Sequence, residues 1–488
     1  MKILGPSQAM KLIKSGATVI PGGFGSCGHP DLFTQALEER YLETGEPKNL
    51  KLLFASGAGD KKENGLNRLA HYGLVSVSIG GYWNLCPKLR GMGESGEIEA
   101  HNWPQGAISK LFGTIAEGAP GLVSRVGLHT FVDPRVEGGM FRPIDHRSLI
   151  EVVHLQGKEY LFYPSMHIDA ALLRGTVADR SGNISLRGEA SKMDALSQAQ
   201  AARNCGGIVF VQVKDVVSDQ LCAGEVDIPG HLVDVVVISK GTNHPFTYGH
   251  KVCPTKLTTE EGVGSSARQH VIKRALKELP VGPYKKRIVN FGIGIPAEIG
   301  MAMSANQRSS YTLSVESGVI GGTPLIGDSF GAAIDPDAVV DQSQLFNFYD
   351  GGGIDKAFLG FAQIDEHGRV NVSKFGKARP GAGGFINITT SAKNIIFCGT
   401  LTTTRTKGNK VEGYDSDILK LVENVDQITF DSKHCNAAKI TVITEVAVFE
   451  IRRGALVLTE VREGFEPKDV EALSEAHFEV DHNLSSMG

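Results

Sequence analysis

The stretch Tyr311-Thr312-Leu313-Ser314-Val315-Glu316-Ser317-Gly318-Val319-Ile320-Gly321-Gly322 delivers one carboxylate, Glu316, from an otherwise apolar, β-favouring run. The chain then breaks at once into small residues and glycines, the pattern of a strand end where backbone approaches a ligand closely. A carboxylate is a weak nucleophile, but a thioester is a good electrophile with a good leaving group. Attack by Glu316 would give an acyl-glutamyl anhydride and free a thiolate, and thiolate attack on the glutamyl carbonyl would give a glutamyl thioester. Each step builds an oxyanion, so donors must converge near the carboxylate. Backbone N–H groups of Gly383 and Gly384 are suitable, and an amide side chain such as Gln105 is a further candidate. An isolated Val-Glu-Ser-Gly is more often a strand entering an ordinary turn with a solvated glutamate. The rest of the chain decides between the two.

A chain of 488 residues is too long for one ordinary core and implies two or more domains. With 41% hydrophobic and 21% charged residues it is globular in composition, neither disordered nor membrane-embedded. The net charge of −4, without a long basic run, argues against nucleic acid as a partner. Seven scattered cysteines with no Cys-x-x-Cys pair suit a reduced, cytoplasmic compartment. The N-terminal stretch carries neither a long apolar core nor an Arg-rich amphipathic pattern, and no segment is apolar enough to span a bilayer.

The elements that must position Glu316 follow from hydrophobic periodicity. Residues 7–16 read as a short amphipathic helix and Ala17–Ile20 as a strand, followed by a glycine loop from Pro21 to Asp31 and a helix to about Tyr41. Leu50–Ala55 is the next strand, completing a βαβ unit with a parallel sheet. Residues 114–165 read as a loop-rich insertion. Strands resume at Ile208–Val213 and Leu232–Ile238, nearly continuous apolar runs of the kind buried in α/β proteins. Residues 240–265 are polar, rich in Thr, Gly and Pro, and read as a linker.

After a helix from about Ser265 to Leu279 the pattern begins again. Ile288–Asn290 is a strand, Phe291-Gly292-Ile293-Gly294-Ile295-Pro296 its glycine loop, Ala297 onward a helix, and Thr312–Val315 a strand. Landmarks recur in order. Gly23 to Pro30 matches Gly292 to Pro296, and Phe54-Ala55-Ser56-Gly57 matches Val315-Glu316-Ser317-Gly318. Val177–Ile184 matches Gln363–Val370, and Gly207–Phe210 matches Asn394–Phe397. An internal duplication explains this better than two unrelated α/β domains. The expected organisation is a first domain over 1–240, a linker over 241–265 and a second domain over 266–488, each an open α/β domain with a mainly parallel sheet. The duplication also isolates Glu316, because the first half has Ala55 at the matching place.

Other chemistries fit less well. Gly292 and Gly294 resemble part of a dinucleotide fingerprint, but Pro296 spoils the third position and no ribose-binding acid follows. N–H groups at a helix start suit any pyrophosphate, including that of coenzyme A. Further glycine clusters at Gly351–Gly353 and Gly381–Gly384, with the two at 292 and 318, are expected at strand ends lining a groove. His29, His101, His146, His250 and His367 are expected in loops, and no Cys/His spacing suggests a metal site. Neither Cys27 near His29 nor Cys435 beside His434 has a nucleophile-like context, and no Gly-x-Ser-x-Gly elbow stands out.

At this point the sequence resembles the family I coenzyme A transferases, specifically the single-chain branch that includes propionate (acetate) and 3-oxoacid CoA-transferases. Pro21–Gly25 with Pro30, Val289–Pro296 and Glu316-Ser317-Gly318 resemble its signatures. Asn102 to Gly106, Phe131 to Arg135, Tyr349 to Asp355 and Gly383 to Ile388 resemble the branch in detail. The resemblance implies two similar α/β halves with the active site between them. It implies that Glu316 forms a glutamyl-CoA thioester and that Gln105 with Gly383 or Gly384 lies at the oxyanion. It implies that Gly292, Ile293, Gly294, Ile295, Pro296, Asn371 and Gly383 touch coenzyme A, and that the protein is a homodimer or homotetramer. Relatives continue further past Ala476–Val480, a departure that bears on oligomer contacts and acyl preference. Coenzyme A would be a substrate, short-chain acyl-CoA and carboxylates the partners, with no prosthetic group and no metal. The alternatives carried forward are a short-chain acyl-CoA thioesterase, a dinucleotide-binding oxidoreductase and a non-catalytic metabolite sensor.

Overall fold

The computed structural model describes residues 1–142, 148–239, 266–282, 287–403 and 418–487. The expected linker at 241–265 lies outside the described residues, as do His146 and His250. The described chain divides into two compact units. One holds the described residues of Met1–Thr255 with Val315–Asn347 and Lys377–Asn387; the other holds those of Lys256–Ser314, Phe348–Gly376 and Ile388–Gly488.

The first unit is built on an eight-stranded, wholly parallel sheet. Its order is Lys2–Ile3, Val235–Ile238, Ile208–Val213, Ala170–Arg174, Thr18–Pro21, Leu50–Phe54, Val75–Gly80 and Glu99–Asn102. Its central strands are buried almost throughout, as Val-, Ile- and Leu-rich runs covered on both faces must be. Helices Asp31–Thr44, Gln105–Ala116 and Ala195–Asn204 accompany them.

Three expectations in this unit need correction. The helix at 7–16 is only Pro6–Met10; so short a segment has little stability of its own and ends where packing stops supporting it. The stretch 114–165 contains a three-stranded antiparallel sheet, Gly121–Ser124, Lys158–Pro164 and Glu151–Leu155. Partial burial on both faces had blurred its alternation. His101 is in a strand, not a loop, and its buried ring contacts Glu99 at 2.8 Å.

The second unit repeats the arrangement. Tyr311–Val315, Arg287–Phe291, Lys356–Leu359, Asn394–Cys398 and Lys439–Ile443 run parallel in that spatial order. The first unit has the same order and sense in Leu50–Phe54, Thr18–Pro21, Ala170–Arg174, Ile208–Val213 and Val235–Ile238. Ala447–Arg452, Ala455–Val461 and Glu479–Ser486 extend the second sheet at its far side.

Details repeat as well. In that order, the carboxylate just before the third strand accepts an N–H at the start of the second, Asp169 from Thr18 at 2.8 Å and Asp355 from Ile288 at 2.9 Å. Val177–Ala178 with Ile184–Ser185, and Gln363–Asp365 with Arg369–Asn371, are both antiparallel hairpins. Asp179 accepts the N–H groups of Ser181 and Asn183, and Asp365 those of His367 and Arg369. The expected duplication of two α/β halves with mainly parallel sheets is the fold observed.

Candidate active site

Glu316 follows directly on the strand Tyr311–Val315. The turn that presents it is fixed at every residue. Gly318 has φ +106°, and a Cβ there would lie 2.0 Å from the Val340 carbonyl oxygen. Only glycine fits such a conformation and such an approach. The Gly318 N–H returns to Val315 O at 3.1 Å. Ser317 is buried: its hydroxyl donates to Gly331 O at 2.6 Å, and its carbonyl accepts the Ser191 hydroxyl. Glu316 itself is half-buried, with its Oε2 oxygen shielded from solvent. Upstream, Ser314 is held by the Tyr349 hydroxyl at 2.8 Å, and its carbonyl by the Asn290 amide at 3.3 Å.

The loop Gly381–Gly384 supplies the opposite wall. A Cβ placed on Gly384 would lie 3.4 Å from Glu316 Cγ and 3.3 Å from the Phe346 ring. A Cβ at residue 384 would thus touch the glutamate and press slightly on the Phe346 ring. Three hydrogen bonds pin the loop: Trp83 N–H to Pro380 O at 2.7 Å, Ala382 N–H to Asn102 Oδ1 at 2.9 Å, and Gly383 N–H to Gly81 O at 2.9 Å. Asn102 in turn donates to the carbonyls of Gly80 and Gly81. The Gly383 N–H is thus committed inside the protein, so it is not the oxyanion donor named for it. The Gly384 N–H has no partner among the described residues.

Gln105 opens the helix Gln105–Ala116 after Pro104, whose fixed φ suits a helix start. Its N–H donates to Gly383 O at 3.0 Å, and the Gly106 N–H donates to Asn387 Oδ1 at 3.0 Å. The buried Gln105 side chain lies beside Gly383 and donates to Gln342 Oε1 at 3.3 Å. One compact unit thereby brings Glu316, Gly384, Gly383 and Gln105 together from distant parts of the sequence. Tyr82 joins them: burial first, then the nearby Glu316 charge, raises its phenol pKa, against a hydrogen bond to Asn84. Tyr82, Asn102, Gln342 and Asp194 were not singled out by sequence. Asn102 lay inside a quoted stretch, but nothing local marked the other three.

The other candidate residues lie in the second unit. Gly292 donates to Phe358 O, and Gly294, with φ +85° and open space around it, precedes the helix Ile295–Ala302. Ile293 is exposed and Pro296 is buried in the helix's first turn. Asn371 is held within the protein. Its amide donates to Gln363 Oε1 and Lys374 O, and its oxygen accepts Ser373 and Lys374 N–H groups, all within its own hairpin region. Gly351–Gly353 follow the helix Gln342–Asp350 rather than a strand, so that cluster closes a helix instead of lining a strand-end groove. His29 is buried between Gly22 O and the Thr34 hydroxyl, and burial lowers its pKa. Cys86 and Cys398 are buried thiols with raised pKa values, about 12 for Cys86, unlike reactive cysteines. Among the described residues no cluster of His, Cys, Asp or Glu has the makeup of a metal site, and no helix is long and apolar enough to cross a membrane.

A half-buried carboxylate against glycine backbone, with a buried amide bonded to the same glycine loop, is an arrangement compatible with acyl transfer. Residues 5–239 match the coenzyme A transferase family model. The caffeate CoA-transferase of Acetobacterium woodii is 36% identical, with 96% of this chain and 93% of that protein aligned. The acetate CoA-transferase YdiF of Escherichia coli O157:H7 is 35% identical over 96% of this chain and 91% of its own length. A solved structure of YdiF in thioester complex with coenzyme A superposes with a TM-score of 0.90 at 33% identity, covering 100% of this chain and 95% of that one. The chain belongs to the coenzyme A transferase family.

Proposed function

We propose that this enzyme moves coenzyme A between an acyl-CoA and a free carboxylate through a covalent intermediate on Glu316. The observation that carries the proposal is the Gly384 backbone lying against the Glu316 side chain, with the Gly384 N–H uncommitted and Gln105 bonded to the same loop. A Glu316 oxygen attacks the thioester carbonyl, and the carbon–sulfur bond breaks to give a mixed anhydride and coenzyme A thiolate. The thiolate attacks the glutamyl carbonyl, expels the first carboxylate and leaves a glutamyl-CoA thioester. The acceptor carboxylate reverses the two steps, and Glu316 is regenerated as the new acyl-CoA departs. No proton need be transferred. Each tetrahedral intermediate carries an oxyanion, and the Gly384 N–H and the Gln105 amide are the donors assigned to it. The relative named for a thioester complex with coenzyme A supports this route.

Gly292, Ile293, Gly294, Ile295 and Pro296 are proposed to hold coenzyme A, with the N–H groups of Ile293, Gly294 and Ile295 at a helix start suiting its phosphates, while Gly292 is tied to Phe358 O and Pro296, which has no N–H, shapes the turn. Gly383 shapes the oxyanion loop through its carbonyl and its own committed N–H. The acyl groups proposed are short, the assembly a homodimer or homotetramer, the compartment cytoplasmic, and the domain limits 1–240 and 266–488 about a linker at 241–265. Incubation with acetyl-CoA and no acceptor should leave coenzyme A covalently attached to the peptide bearing Glu316, and added propionate should discharge it as propionyl-CoA. An adduct on another residue, or release of free coenzyme A to water at the rate of exchange, would overturn the proposal.

A further inference from the structure

Asp194 stands immediately before the helix Ala195–Asn204, the place where an aspartate ordinarily caps its own helix. It does not. Its side chain makes no cap hydrogen bond and instead accepts from the Ser109 hydroxyl on one oxygen and from Gln342 Nε2, at 2.8 Å, on the other. The Ser343 N–H adds a further donor. Gln342 Oε1 then accepts from Gln105 Nε2 at 3.3 Å. Asp194, Gln342, Gln105 and Ser109 are all buried. The row runs from the Gln105–Ala116 helix at Ser109, through Asp194 and Gln342, back to Gln105 at that helix's first residue.

The direction of the row follows from hydrogen-bond chemistry. An ionised carboxylate can only accept, whereas an amide has one accepting and one donating end. Once ionised, as it is at pH above about 7, Asp194 therefore draws the NH₂ end of Gln342 and turns its oxygen toward Gln105. Gln105 must answer with its own NH₂ group, of which one hydrogen is used on Gln342. We infer that Asp194 is a positioning residue for acyl transfer, fixing the Gln105 amide, through Gln342, in the orientation that donates to the oxyanion. The inference rests on the role proposed for Gln105 above.

The carboxylate is held there against its surroundings. Burial, with the charge of nearby Asp341, raises the Asp194 pKa to about 7, although hydrogen bonds from Ser109, Ser343 and Gln342 oppose the shift. The other charges about this pocket are Lys192, paired with Asp227 at 2.8 Å and set near Asp341, and Asp227 itself. A folded pKa above the ordinary 3.8 means that the folded state binds the extra proton between those values. Stability contributed by Asp194 is therefore lost as pH rises from about 3.8 to about 7.

The test is a mutant cycle in the full-length enzyme, read by steady-state exchange, adduct mass and thermal melting. Asp194→Asn lets the partner amide turn either way. It should lower kcat about tenfold to a hundredfold with little change in KM for acetyl-CoA, because the misplaced donor acts only in the transition state. Its Tm at pH 8 should equal or exceed that of the wild type. Combining Asp194→Asn with Gln342→Glu restores the polarity, since the new amide donates to the new carboxylate, which then accepts from Gln105. The double variant should recover most of the kcat lost in Asp194→Asn. Unchanged kcat in Asp194→Asn, or a double variant no better than that single one, overturns the inference while a coenzyme A adduct on wild-type Glu316 leaves the proposed function standing. Absence of that adduct from the wild type overturns both.

Discussion

The two halves place the same turn after the same strand and fill it differently. In the first half Leu50–Phe54 ends in Ala55-Ser56-Gly57; in the second Tyr311–Val315 ends in Glu316-Ser317-Gly318. Ala55 is buried, and its carbonyl lies where a Cβ on Gly81 would be only 2.2 Å away, close to the Gln105 backbone. The first-half turn therefore serves as packing beneath the helix that carries Gln105. The second-half turn presents its side chain to a glycine wall. What separates the two turns is one carboxylate together with the space left around it, the difference on which the role proposed for Glu316 rests.

The largest effect expected comes from making the halves alike. Glu316→Ala should reduce exchange to background in a coupled assay while Tm stays within a few degrees of wild type, because alanine already occupies the matching turn. Glu316→Gln should fail equally, since an amide forms no thioester in a single turnover. Wild-type exchange by either variant would make Glu316 a mere strand-end carboxylate.

Next comes the wall. Gly384→Ala introduces a Cβ 3.3 Å from the Phe346 ring, which must give by a few tenths of an ångström, and 3.4 Å from Glu316 Cγ, at the edge of ordinary contact. Its kcat should fall by about a hundredfold or somewhat less, with normal melting; a kcat equal to wild type would remove Gly384 from the site.

The two turn glycines offer a third comparison. A Cβ on Gly318 meets Val340 O at 2.0 Å with φ +106°, whereas one on Gly57 meets Tyr82 O at 2.5 Å without a positive φ. Both alanine variants should melt earlier, Gly318→Ala by more, with a loss of roughly 3 kcal/mol or above in chemical denaturation. Equal losses would show that contact, not backbone conformation, governs the turn.

The smallest effect belongs to the paired hairpins. Asp179→Asn and Asp365→Asn each weaken charge-assisted bonds to backbone N–H groups, and each should cost about 1.5–3 kcal/mol in urea unfolding. Burial works to raise the Asp179 pKa, but the Asn183 side chain and the backbone donors outweigh it and leave the pKa below 3.8. The stability it provides is present above 3.8 and lost as pH falls through its lower folded value, so the wild-type advantage over Asp179→Asn should shrink only in acid.

Much of this was legible because it is local. The strand ends, the Ala55/Glu316 contrast and the repeated hairpins are written in short stretches whose periodicity survives without tertiary information. Gln105 was legible as a candidate amide and through the family resemblance, but not as the first residue of a helix, because Asn102 to Gly106 reads as a loop. Asp194 and Gln342 were not, because neither has a neighbour in sequence that hints at the other; they meet only after folding brings segments 148 residues apart into one row. The Gly383 N–H was assigned to the oxyanion because sequence cannot say that Gly81 takes it first. The sheet at 121–164 was missed because its strands are half-exposed on both faces, which erases the alternation that marks a strand.

The division of the chain has a consequence for its birth on the ribosome. The unit that begins at Met1 also needs Val315–Asn347 and Lys377–Asn387, and residues of the other unit are translated between those segments. At roughly 5–20 residues per second its last strip emerges on the order of ten seconds after its first 255 residues. Throughout that interval the large parallel sheet waits without the segments that carry Glu316, Gln342 and Gly384, so a polypeptide truncated before residue 387 would be a substrate for chaperones rather than half an enzyme.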